Sequence, residues 1–111
     1  MKKIFIIIIL FLCCVGCNKK EEIDIKQIME NNDYIILDVR TEEEYNDKHI
    51  VDAINISYDT IDENINLDKD KVIFVYCRSG NRSKIAYNKL KELGYEVYDL
   101  HGIDEINLPK E

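Results

Sequence analysis

Five consecutive apolar or aromatic residues, Val72 to Tyr76, stand between the charged stretch Asp68-Lys69-Asp70-Lys71 and a cysteine, Cys77. A run this short, with no polar residue at alternate positions, predicts a strand buried on both faces, as the strands of a parallel sheet are. Cys77 then falls at the carboxyl end of that strand. Ala86, Leu90 and Leu93 follow at i, i+4 and i+7 with Ile85 beside them, so an amphipathic helix is expected from about Ser83, with its first turn facing the cysteine.

That juxtaposition has chemical content. The first turn of a helix has backbone N–H groups without intrahelical partners and a dipole that favours negative charge, so the loop welcomes an anion. The same field, with Arg78 and Arg82 nearby, is expected to lower the thiol pKa of Cys77. Gly80 permits a positive φ where the loop turns over the sulfur.

The rest of the chain repeats the order of strand, polar residue and helix. Asp24 is expected to cap a short helix, with Gln27 reaching back and Ile25, Ile28 and Met29 as its apolar stripe. Tyr34 to Val39 reads as a strand ended by Asp38-Val39-Arg40, and Thr41 with Glu44 forms a capping box for an acidic helix. A third strand is expected near Ala53 to Ile56, then a weaker helical segment with Tyr58, Ile61 and Ile65 on one face. Gly94 stops the helix after Cys77, and a last strand lies near Glu96 to Asp99. This alternation predicts an α/β domain with a largely parallel sheet, whose site lies at the carboxyl ends of the strands, where Cys77, Asp38 and Arg40 fall.

Cys77-Arg78-Ser79-Gly80-Asn81-Arg82-Ser83 resembles the active-site loop of single-domain rhodaneses, sulfurtransferases that carry sulfur as a cysteine persulfide. Two further blocks extend the resemblance over roughly Ile23 to Leu108: Asp38-Val39-Arg40 with Glu43, Glu44 and Tyr45, and His49-Ile50 with Ala53 and Asn55-Ile56. It implies a rhodanese-like domain over 23–111, a largely parallel central sheet flanked by helices on both faces. It also implies a nucleophile at Cys77, substrate binding by Arg78, Ser79, Gly80, Asn81, Arg82 and Ser83, and a buried supporting pair in Asp38 and Arg40. Four residues separate Cys77 from Arg82; phosphatases and arsenate reductases of the same fold are implied to carry a loop one residue longer. The family usually has Gly where Lys48 and Asp52 stand, and Gly-Gly where His101-Gly102 stands.

The expected reaction is a double displacement, from a small sulfur anion such as thiosulfate or a persulfide to a thiol, cyanide or a protein cysteine, with no external cofactor. The alternatives are phosphatase or arsenate reductase chemistry on the same fold, and a non-catalytic rhodanese-like domain that binds a partner or a sulfur anion. His49 reads as structural. His101 follows the last strand on the edge where the site belongs, as a surface residue or a substrate contact. From Asn18 onward no C-x-x-C or H-x-x-x-H spacing points to a metal.

Lys2 and Lys3 followed by the apolar run Ile4 to Gly16 have the layout of a secretory signal, too short for a secure span. Cys14-Val15-Gly16-Cys17 resembles the lipobox of bacterial lipoproteins, which implies cleavage after residue 16, lipidation of Cys17 and a tether over 17–22. The expectation is an exported protein held by its lipid on the extracytoplasmic side of a membrane. Cys13 and Cys14 leave with the signal and Cys17 carries lipid, so Cys77 is the one remaining thiol, in a compartment where lone thiols are unusual. Loss of two lysines leaves 13 Lys and Arg against 22 Asp and Glu, a formal charge of −9. Nucleic acid is not expected as a partner.

Overall fold

The computed structural model describes residues 24–111. The segment 1–16 expected to be a signal, Cys17 and the expected tether over 17–22 lie outside the described residues. Among those described, no helix is long and apolar enough to cross a membrane. Helix α1 (Ile25–Asn31) begins as expected, the Asp24 carboxylate accepting the Gln27 N–H at 3.2 Å.

In the unit from Asn31 to Glu111, the strands β1 (Tyr34–Asp38), β2 (Ile54–Asn55), β3 (Val72–Cys77) and β4 (Glu96–Gly102) form one sheet in the order β2-β1-β3-β4, with all pairs parallel. Parallel neighbours need crossovers, supplied by α2 (Glu42–Asp47) after β1 and α3 (Asn81–Glu92) after β3. The α/β class and the helix-flanked parallel sheet expected from the alternation are thus present. Every residue of β3 is buried, as its unbroken apolar sequence requires. On one face Ile73, Val75 and Cys77 join Ala86 and Leu90 of α3 in the core. On the other, Phe74 packs between Tyr34, edge-on at 5.9 Å, and Tyr98, stacked at 5.7 Å.

Gly80 takes φ 106° at the N-cap of α3, which starts at Asn81, two residues before the apolar stripe announced it. Gly94, at φ 97°, closes the helix: its N–H bonds the Lys91 carbonyl and the Tyr95 N–H bonds that of Leu90, the paired bonds of a Schellman ending. The weaker helix expected around Tyr58, Ile61 and Ile65 is absent. In its place stand one 3₁₀ element, Tyr58–Thr60, and a turn after Asp62, where a local side chain takes a backbone group a helix would need. The Asp62 carboxylate accepts the Asn64 N–H at 2.9 Å, and the Asp62 carbonyl accepts that of Ile65 at 3.0 Å. Ile61 is buried and Ile65 still packs on the core, so the apolar spacing placed the side chains without a helix.

At α2 the capping box forms, Thr41 Oγ1 accepting the Glu44 N–H at 3.2 Å and the Glu44 carboxylate accepting the Thr41 N–H at 3.0 Å. The same carboxylate takes both prongs of Arg82 from α3, at 2.7 and 3.0 Å, which ties the two crossovers together. These bonds from Arg82 outweigh partial burial and, with those from Thr41, hold the Glu44 pKa at about 2 against an ordinary 4.5. A carboxyl depressed in the folded state adds stability above the unfolded pKa that is lost as pH falls through the folded one. Glu44→Gln is therefore expected to lower stability at pH 7 by about 1 kcal/mol, the pair being partly exposed, with the gap to the parent closing from about pH 4.5 toward 2. Urea unfolding across that range checks it; curves that stay parallel would refute the assignment.

Candidate active site

The end of β3 and the start of α3 place backbone donors around one sulfur. Cys77 Sγ accepts the Gly80 N–H at 3.0 Å and the Ser83 N–H at 3.2 Å. Gly80 reaches this position because its left-handed φ folds the loop back over the strand end, and Ser83 because the first turn of α3 lies beneath the loop. Burial alone would push the thiol pKa up, since Cys77 is only 1% exposed. It is instead lowered, by the Ser83 hydroxyl and by the amides of Ser83, Gly80 and Ser79, which together outweigh that burial. Ser83, itself fully buried, donates its one hydroxyl proton to the Gly80 carbonyl, Oγ to oxygen 3.2 Å, and that rotor can turn to a thiolate instead.

The Arg82 guanidinium is engaged by Glu44, and the Ser83 hydroxyl and the loop amides come before it in lowering the Cys77 pKa. Cys77 does contribute, after Glu44, to the raised pKa of Arg82, so the two feel each other's charge. Arg78, Ser79 and Asn81 are exposed on the loop. Glu44 is the residue the sequence reading missed as part of the site. The signal for it was there: an acid in the matching block that opens at Asp38, opposite in charge to the loop arginine.

Gly102 closes the cradle from β4. A Cβ built there would stand 2.7 Å from the Arg78 carbonyl, so the loop backbone leans on a position with no room for a side chain. His101, beside it, has φ 69°, and Asp52 has φ 73°; these are the non-glycine residues with positive φ among those described. Both stand at positions where the resemblance implies glycine, and both keep the backbone conformation glycine would adopt at no steric cost.

Asp38 and Arg40 form a buried pair at the end of β1. Arg40 Nε lies 3.0 Å from both Asp38 oxygens, an Nη lies 2.6 Å from Oδ2, and the same guanidinium donates to the Lys48 carbonyl. Arg40 also stacks its charge over the Tyr76 ring at 5.6 Å. The pair's bonds go to the frame rather than to the sulfur. His49 lies in that frame too, its Nδ1 2.8 Å from the Tyr45 carbonyl and its ring stacked on Tyr45. Among the described residues, no group of three or more His, Cys, Asp or Glu is placed to hold a metal ion.

What this arrangement offers is one sulfur in a cradle of amides that favours its anionic form. Residues 23–104 match the rhodanese-like domain family. The chain is 37% identical over 78 residues to the thiosulfate sulfurtransferase PspE of Escherichia coli, covering 67% of this chain and 75% of that one. It is 35% identical over 78 residues to the thiosulfate sulfurtransferase GlpE of Coxiella burnetii, covering 68% and 73%. Similarity at 35% over 80 residues extends to the adenylyltransferase and sulfurtransferase uba4 of Ogataea parapolymorpha, of which the chain spans 21%; it spans 19% of a probable molybdopterin-synthase adenylyltransferase of Porphyra purpurea. Among solved structures, a rhodanese with anions from Escherichia coli superposes with a TM-score of 0.65 at 35% identity, covering 70% of this chain and 96% of that one. A protein from Lactobacillus plantarum gives 0.67 at 27% identity, covering 92% and 95%. From its cysteine loop, its sheet and these relatives, the chain belongs to the rhodanese-like domain family.

Proposed function

We propose that this protein is a sulfurtransferase that moves sulfane sulfur from thiosulfate or a persulfide donor to a thiophilic acceptor through a persulfide on Cys77. The observation that carries the proposal is the convergence of the Gly80 and Ser83 amides on the buried Cys77 sulfur. These donors stabilise a thiolate before reaction, and the same loop can receive the negative charge of a persulfide after it. In the first half-reaction the thiolate attacks the outer sulfur of the donor. A bond from Sγ to that sulfur forms, the donor's S–S bond breaks, and its electron pair leaves with the remainder, sulfite when thiosulfate is the donor. In the second, a thiol, cyanide or a protein cysteine attacks the outer sulfur and restores the Cys77 thiolate. No proton need move at Cys77, which suits a sulfur solvated by amides rather than paired with a base.

The size of the cradle supports sulfur over phosphate. Four residues lie between Cys77 and Arg82, and the added sulfur stands about 2.05 Å from Sγ, a reach that needs no wider loop. The relatives named as thiosulfate sulfurtransferases support the same reading. For location, the lysine-led apolar run and Cys17 support an exported protein held to a membrane by lipid on that cysteine.

Mass spectrometry after thiosulfate or polysulfide treatment is expected to find one added sulfur on Cys77, removed by cyanide or thiol. Cys77→Ser should keep the fold and lose transfer on the order of 10³-fold or more, the scale on which loss of a covalent nucleophile acts. Retained transfer would overturn the persulfide route. Cys17→Ala, expressed in a bacterium that lipidates exported proteins, is expected to leave the membrane fraction and lose palmitate label; unchanged labelling would refute lipidation at that residue.

A further inference from the structure

His101 stands at the cradle's mouth in a conformation that ordinary surface residues avoid. Its φ of 69° lies in the left-handed region, and it follows a slip in the β3–β4 register: Val75 pairs with Asp99 and Tyr76 with His101, which leaves Leu100 as the extra residue. A bulge of this kind re-aims the side chain beside it. The ring lies against the loop, since a Cβ built on Gly80 would be 3.7 Å from His101 Cβ and 3.9 Å from its Nδ1. Gly80 is the residue whose amide holds the Cys77 sulfur. Asp99 fixes the histidine from behind: one carboxylate oxygen accepts the His101 backbone N–H at 2.8 Å, and the other lies 3.6 Å from Nδ1. The Asp99 side chain is 13% exposed, while that of His101 is 63% exposed, so a held carboxylate steadies a ring open to whatever approaches the loop.

Resting on the sulfurtransferase reading, we propose that His101 is a specificity-determining residue that donates a ring N–H to the oxygens of a sulfonate-bearing sulfur donor while Cys77 attacks its sulfane sulfur. The nucleophile is buried beneath the loop, so the sulfane sulfur enters the cradle and the sulfonate end of such a donor remains outside, beside Gly80 and His101. Those oxygens accept hydrogen bonds. The Arg82 guanidinium is already bound to Glu44, and the imidazole, with Asp99 behind it, is a donor placed at that wall. As the S–S bond breaks, its electron pair and the growing charge pass to sulfite, at the end of the donor that His101 meets.

The test follows persulfide formation on Cys77 by mass spectrometry against donor concentration, with thiosulfate and with inorganic polysulfide, which has no sulfonate. His101→Gly removes the ring and relaxes the backbone; His101→Asn tolerates positive φ and keeps an N–H donor. Half-saturating thiosulfate is expected to rise about 10-fold in His101→Gly, the scale of one hydrogen bond to a charged group, with polysulfide loading within about twofold of the parent. His101→Asn is expected to fall between the parent and His101→Gly for thiosulfate. An unchanged thiosulfate dependence in His101→Gly, or an equal loss with both donors, overturns the proposal while the sulfurtransferase reading stands. A parent that takes sulfur from neither donor overturns both.

Discussion

Asp38 carries a carboxylate with none of its surface exposed, and a charge so placed is tolerable only with a cation fixed beside it. Arg40 is that cation, and holding it there organises the end of the sheet. Its guanidinium also takes the Lys48 carbonyl beyond α2, and the Asn55 amide of β2 donates to the carbonyls of both Asp38 and Arg40 at 3.0 Å. Above the pair lies Tyr76, whose hydroxyl accepts the Ile50 N–H at 3.0 Å and whose own ionisation burial pushes well up. Tyr76 is the residue before Cys77. The position of the sulfur is thus inherited from a charge pair that does not bond to it, and removing either partner would leave the other buried and uncompensated, at a cost of about 3–5 kcal/mol.

The three arginines divide the work of an acidic chain. Arg40 neutralises a buried acid, Arg82 joins two helices through Glu44, and Arg78 is exposed on the loop. The field at Cys77 comes first from the Ser83 hydroxyl and then from oriented backbone N–H groups. Dipoles held at hydrogen-bond distance from a buried atom are little screened by salt, whereas the attraction of an exposed arginine falls off within about 10 Å at 0.1 M. An acidic protein can therefore receive an anion at this loop without a basic surface.

The buried strand, the cysteine at its end and the helix after it were legible because five apolar residues in a row admit few other readings. Gly80 and Gly94 were legible as punctuation, and both take the positive φ that only glycine adopts freely. The helix expected through Ile61 and Ile65 failed for a local reason: spacing records which side chains face the core, but it is silent on whether Asp62 will capture the backbone of its neighbours. For Arg82 the sequence shows its distance from Cys77 and hides the acid that also holds it, 38 residues away. The left-handed backbone at Asp52 and His101 was foreshadowed by their standing where glycine is usual, yet only coordinates show that the conformation survives the exchange.

An activated group is usually a weak point in a fold, a charge or a strain kept for function against stability. Cys77 is arranged the other way. Its pKa is lowered in the folded protein, so ionising the thiol strengthens the native state, by an amount fully present above the ordinary thiol pKa and lost as pH falls through the lowered value. The anion acts toward the fold as a bound ligand does, and one that cannot diffuse away. Anything that consumes that charge, such as alkylation to a neutral thioether, withdraws the ligand and loosens the turn that holds it. A modification that leaves an anion at the same place keeps the charge, and the loop stays as firmly set as before.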